Sequence, residues 1–295
     1  MSCHSIVLVK QVPDTANVTA EAMKEDGTVN RAALPTIFNP EDLHALEAAL
    51  EIKDRFGGTV TVISMGPPKA ADVLRDCLYR GADRAILLTD RRAAGSDTLA
   101  TSYILSQAVK TVGNYDFVFC GRQAIDGDTA QTGPQCAEKL GIPQITYMES
   151  IIDVQNKVAE IKRNIGNGWE TVRVKLPCLV TVIETANNPR PWAAKKMMRH
   201  KHKRVPAELA DATPEQLDSL NRRATSAINQ GKLLEQWDLE RINADFDRCG
   251  FAGSPTKVFR IQSIVLKKEG FTKIEPTQDG VKQLIHELVI DRTLG

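Results

Sequence analysis

The chain has 295 residues, enough for one large domain or two smaller ones. Its 42% hydrophobic and 25% charged residues are those of an ordinary globular protein, and a formal net charge of +1 gives no global basic field for nucleic acid. No apolar run has the length of a membrane span, the six cysteines form no C-x-x-C pair and the five histidines show no ligand spacing, which argues against a disulfide framework or a structural metal site. The start, "MSCHSIVLVK", lacks a signal-peptide layout, so a reducing, cytoplasmic location is expected.

In chain order, "SIVLVKQV" (5–12) reads as a buried strand, and a polar stretch runs from Pro13 to about Pro35. "NPEDLHALEAALEIKDRFGG" then opens a helix, with Asn39 as N-cap, Pro40 at the first helical position and Glu41 and Asp42 at the positive end. "TVTVISMG" (59–66), "RAILLTD" (84–90) and "YDFVFCG" (115–121) read as strands. Gly57-Gly58 stops the first helix, and between these strands "KAADVLRDCLYRGAD", closed at Gly81, and "SDTLATSYILSQAVKTVG" read as helices. Strand and helix in alternation predict a mostly parallel sheet covered on both faces. In such sheets ligands bind beyond the carboxyl ends of the strands. The loops there, 9–13, 65–67, 89–98 and 121–133, are where the polar and small residues gather.

After about residue 143 the pattern changes. "KVAEIKRNIGNGWETVRVKLPCLVTVIET" alternates like antiparallel strands, and "KKMMRHKHKR" (195–204) is a basic run in which His200 and His202 read as solvated. Residues 206–250 read as helical and polar, and the tail from Gly253 holds an extended apolar piece (Val258, Phe259, Ile261, Ile264, Val265, Leu266) and the helix "DGVKQLIHELVID". The expected division is 1–205 for the nucleotide-binding α/β domain, 206–250 for a helical insertion or linker and 251–295 for a C-terminal arm.

The stretch "CGRQAIDGDTAQTGPQCAEKLG" (120–141) is the strongest functional signal. Asp128 or Thr129 can cap a helix beginning near Ala130, which leaves backbone N–H groups directed at an anion. Gly127 and Gly133 allow close approach to the backbone, and Gln131 and Thr132 can bond ribose or phosphate oxygens. "GSDTLATS" (95–102) repeats the logic, with Ser96 or Asp97 as cap and Thr98 toward the crevice. An ordinary capped turn is the plain alternative for each. Their placement at the ends of strands read as adjacent makes a shared nucleotide site the sharper expectation.

These residues also carry a resemblance. "VLVKQVPD" (7–14), "NPED" (39–42), "ISMGPP" (63–68), "YRGADRAILLTD" (79–90), "GRQAIDGDTAQTGP" (121–134), "VRVKLPCLVTV" (172–182), "NNPR" (187–190) and "GSPTKV" (253–258) together are similar to the electron-transfer flavoprotein β subunits. The resemblance implies a Rossmann-like, doubly wound α/β fold with antiparallel additions, and a heterodimer with an FAD-carrying α subunit that the C-terminal arm embraces. It places the nucleotide contacts at Leu8, Asn39, Pro40, Glu41, Asp42 and Met65. Others fall at Gly121, Arg122, Gln123, Ala124, Ile125, Asp126, Gly127, Asp128, Thr129, Ala130, Gln131 and Thr132. "DGDTAQTGP" and "GSDTLATS", with Asp97 and Thr98, resemble the electron-bifurcating branch. That branch holds a second FAD in the β subunit, which takes a hydride from NADH and passes electrons to the α-subunit flavin and a partner oxidoreductase. Arg122 and the helix starts near Thr98 and Ala130 would offset pyrophosphate charge. No side chain need act as nucleophile or general acid. The housekeeping branch, with structural AMP, is the alternative. Ala194 stands where that branch places a leucine that docks on acyl-CoA dehydrogenases, and about 206–235 looks like an insertion. A signalling module binding adenine nucleotides is a more distant reading. An ATP-hydrolysing enzyme would require a P-loop after the first strand, where this chain reads "KQVPDTAN".

Overall fold

The computed structural model describes residues 2–14, 34–210, 234–256 and 273–290. A nine-stranded sheet organises the molecule. Its first strand, β1 (Cys3–Leu8), is joined by β4 (Gly58–Met65), β5 (Arg84–Leu88) and β6 (Phe117–Gly121). β7 (Gln144–Gln155), β8 (Val158–Asn164), β9 (Trp169–Lys175), β10 (Cys178–Val182) and β11 (Glu235–Trp237) complete it. The order is β11-β5-β4-β1-β6-β10-β7-β8-β9, parallel from β11 to β7 and antiparallel from β7 to β9. A separate antiparallel ribbon pairs β2 (Gln11–Pro13) with β3 (Thr36–Phe38), so the run read as one strand over 5–12 breaks at Val9–Lys10.

Helices cover both faces because the strands are apolar on both sides. On one face α1 (Pro40–Phe56) and α2 (Ala71–Arg80) pack on Val7, Val60, Val62, Phe117, Phe119 and Val180. On the other α3 (Thr98–Val112) and α4 (Thr132–Leu140) pack on Ile6, Leu8, Ile63, Ile86, Val118 and Leu179. Alternate residues of β1 thus serve opposite cores, as the two-residue period of a strand requires. The predicted stops at Gly57 and Gly81 follow α1 and α2, and Gly113 follows α3, each with positive φ.

Two readings are corrected here. The loops 89–98 and 121–133 do not follow adjacent strands, since β4 and β1 stand between β5 and β6. They meet because α3 and α4 lie side by side on one face: Thr98 Oγ1 donates to Gln131 Oε1 at 3.0 Å, and Ser102 Oγ to Gln135 Oε1 at 3.2 Å. Within 206–250, read as helical, only α6 (Pro206–Ala210) is an α-helix among the described residues, and β11 extends the main sheet beside β5. Residues 211–233, most of the expected insertion, lie outside the described residues, as does the apolar piece 258–266. The basic run forms α5 (Ala194–His200) and a turn. There His202 is exposed, but His200 is half-buried, and burial lowers its pKa.

Candidate nucleotide site

The chain leaves β1 by way of α1 to β4 and β5 on one side and returns to β6 on the other, so the strand order reverses between β1 and β6. A crevice opens at the carboxyl ends of the strands at such a point. A cavity of about 410 Å³ sits there, within the size range of small-molecule sites. Its floor is apolar, from Leu8 of β1, Ile63 and Met65 of β4 and Leu105 of α3. One wall is Gly95, Ser96, Asp97, Thr98 and Thr101; the opposite wall is the loop from Gly121 to Gly133.

The structure brings sixteen of the expected residues to this lining: Leu8, Asp42, Met65, Asp97, Thr98, Gly121, Arg122, Gln123, Ala124, Asp126, Gly127, Asp128, Thr129, Ala130, Gln131 and Thr132. Asn39, Pro40, Glu41 and Ile125 do not line it. Asn39 occupies the N-cap position of α1 but makes no capping bond with its side chain. Its amide instead donates to Gln123 O at 2.9 Å and accepts from Ile125 N at 3.2 Å, fastening the loop from behind. Glu41 accepts from Gln123 N at 2.9 Å and pairs with Arg122. Arg122 therefore carries a charge already countered by Glu41, and it stacks near Tyr147 at 5.6 Å.

Asp42 ties three segments together. Its two carboxylate oxygens accept from Gly121 N at 2.8 Å and Lys10 N at 2.9 Å, joining the ends of β1 and β6 to the start of α1. A side chain at Gly121 would place its Cβ 2.7 Å from Asp42 Oδ1, so only glycine permits this closure. Burial pushes the Asp42 carboxyl up to about 7, against the lowering effect of the Gly121, Asn39 and Lys10 hydrogen bonds.

The two helix starts facing the cavity differ. Asp97 caps α3, accepting from Ala100 N at 3.0 Å, and also accepts from Thr256 N at 3.0 Å. Burial would raise its pKa, but these bonds win and hold it below the usual carboxylate range. α4 starts at Thr132 rather than near Ala130, its N-cap is Gln131, and no side chain caps it, so the expected capping by Asp128 or Thr129 is not present. Asp128 and Ala130 instead take positive φ values of 49° and 52°, which turn the loop before the helix. The first-turn amides of α4 are thus left to face an anion at the positive helix end. Gly133 lines the cavity and has a second role: a Cβ there would sit 2.8 Å from Cys120 Sγ, so its smallness lets α4 approach the sheet. Gly127 has open space around it.

The protein named electron transfer flavoprotein subunit beta of Clostridium acetobutylicum is 40% identical over 283 residues, 96% of each chain. A model described as the electron transfer flavoprotein domain matches residues 26–213. The chain belongs to the electron transfer flavoprotein family, as a β subunit. Protein FixA of Bradyrhizobium diazoefficiens is 38% identical over 296 residues, 98% of this chain and 92% of its own. The caffeyl-CoA reductase-Etf complex subunit CarD of Acetobacterium woodii is 41% identical over 256 residues, 86% of each.

In this electron transfer flavoprotein β subunit, Val9, Lys10, Ala93, Gly95, Ser96 and Gly133 also line the cavity and fall in the loops marked from the sequence, whereas Ile63, Thr101, Leu105 and Cys120 were not singled out. Some signals were present. Thr101 and Leu105 follow Thr98 at helical spacing, and Lys10 opens a loop already marked by its place after β1. Burial pushes the Cys120 thiol well above its ordinary value, which disfavours the thiolate. No group of acidic, His and Cys side chains among the described residues could hold a metal ion, and no described helix is long and apolar enough to cross a membrane.

Proposed function

We propose that this β subunit holds FAD in the cavity between α3 and the 121–133 loop. In this role it passes electrons from NADH to the flavin of an α subunit and to a partner oxidoreductase, by electron bifurcation. The observation that carries the reading is the pairing of two helix starts, at Thr98 and Thr132, across one open cavity with an apolar floor. Phosphate oxygens suit the N–H groups at such ends, and a planar ring system suits Leu8, Ile63 and Met65. The residues present therefore fit a dinucleotide. Bound FAD would supply the hydride and electron chemistry, while the protein supplies position and field.

In this role the 121–131 backbone and Thr98 contact the nucleotide, while Asn39, Glu41 and Asp42 hold the loop that does so. Gly127, with open space around it, leaves room for the larger cofactor. The likeness to CarD, a subunit of a named reductase–Etf complex, supports a heterodimer that works with an oxidoreductase. Structural AMP is the competing occupant, since the same cavity suits an adenine mononucleotide. Heat release of nucleotide from the purified αβ pair, followed by chromatography, separates the two. FAD in excess of the α-subunit flavin supports the proposal, and AMP in its place defeats it.

A further inference from the structure

The charges lining the cavity pose a problem for any phosphate. Four lining carboxylates, Asp42, Asp97, Asp126 and Asp128, face two lining cations, Lys10 and Arg122. Arg122 is paired with Glu41 and fixed beneath the loop. Asp97 and Asp42 are satisfied by backbone N–H groups. The remaining cation, Lys10, pairs with Asp126 at 2.7 Å across the gap between the end of β1 and the 124–128 turn.

Lys10 is built unevenly. Its backbone is pinned, with N donating to Asp42 and O accepting from Asn39 N at 3.0 Å, so the start of the side chain is fixed in space. Its side chain is 48% exposed, and that of Asp126 is 26% exposed. An ion pair this open to water adds little to stability, so breaking it costs little. A phosphate carries more charge than one carboxylate and accepts more hydrogen bonds from an ammonium.

We infer that Lys10 is a phosphate-binding residue held in reserve by Asp126, and that nucleotide entry exchanges the Lys10–Asp126 pair for a Lys10–phosphate pair. Asp126 is then a competitor that sets how tightly the site takes phosphate-bearing ligands, while Asn39 keeps the turn fastened through Ile125. The inference rests on the nucleotide reading of the cavity.

The test titrates the full-length chain, purified with its α subunit and stripped of nucleotide, with ADP and with adenosine. Lys10→Gln should weaken ADP binding about tenfold, the effect of one charge-assisted hydrogen bond, and leave adenosine unchanged. Lys10→Arg should stay within about threefold of the parent for ADP, since the charge is kept. Asp126→Asn should tighten ADP about threefold by freeing Lys10, and the double variant should behave as Lys10→Gln alone. Equal loss for ADP and adenosine in Lys10→Gln would overturn the assignment, reducing Lys10 to a structural part of the wall. Weaker ADP binding in Asp126→Asn would overturn it too, because the intact pair would then be what shapes the site. A parent protein that binds neither ligand would defeat the nucleotide reading itself.

Discussion

Asp42 is buried, and both its oxygens accept backbone hydrogen bonds that fasten β1, α1 and the 121–133 loop. Its carboxyl is raised to about 7 by burial, whereas an unfolded aspartate titrates near about 3.9. Between those values the folded state binds a proton that the unfolded state lacks. The associated stability is therefore fully present below the lower value and is lost as pH rises through about 7. Urea unfolding from pH 4 to pH 8 should show stability falling by on the order of 1 kcal/mol per pH unit from this group up to about pH 7, and levelling above it. Asp42→Asn should remove that component and cost about 1–3 kcal/mol through the acceptor it lacks. At the other helix start, Asp97→Ala should cost about 0.5–2 kcal/mol as a lost cap. Asp128→Asn with Thr129→Ala, in a loop that caps nothing, should stay within about 0.5 kcal/mol by thermal unfolding. The composition of 121–132 marked the loop as special, and it lines the cavity. Its local conformation was not legible, because the positive φ values at Asp128 and Ala130 delay the helix and local propensity does not reveal them. Nor could the sequence show that Asn39 spends its amide on the distant Gln123 and Ile125 rather than on its own helix.

At the scale of elements, strands β1, β4, β5 and β6 and helices α1 to α3 were legible because each is periodic or apolar and bounded by capping or glycine signals, whereas the three-residue β2 and β3 were not. Strand order was not, and with it went the reason that the α3 and α4 starts meet. β11 shows the limit more sharply. "EQW" has no usable period, and it becomes a strand only because β5 offers an edge, helped by the Arg84–Glu235 pair at 2.6 Å and by Trp237. Trp237 is 5% exposed and packs in the same core as Ile86 and Leu88. Trp237→Ala should therefore destabilise the whole α/β body by about 3–5 kcal/mol, as a core substitution would. A change below about 1 kcal/mol in chemical unfolding would mean that β11 merely leans on the sheet.

For the whole molecule, the segment after β11 laces the cavity rim before the arm begins. Ser254 Oγ accepts from Asp97 N at 2.8 Å, and Gly250 N donates to Ser96 Oγ at 3.0 Å. A truncation meant to test the arm must therefore spare these contacts and end at Thr256. Beyond it, α7 (Gln278–Ile290) presents Val281, Leu284, Ile285 and Val289 to solvent, 37–53% exposed, an apolar stripe suited to a partner surface. A chain ending at Thr256 should fold, keep its nucleotide and fail to copurify with the α subunit; a tight heterodimer without the arm would place the clasp elsewhere. The central claim is that this cavity holds a flavin. The direct measurement is the flavin count per αβ pair after reconstitution with excess FAD, for the parent and for Thr98→Trp, which places a large side chain on the cavity wall. The account predicts about two FAD for the parent and about one for the variant, with the α-subunit flavin retained. One FAD together with one retained AMP in the parent would contradict it.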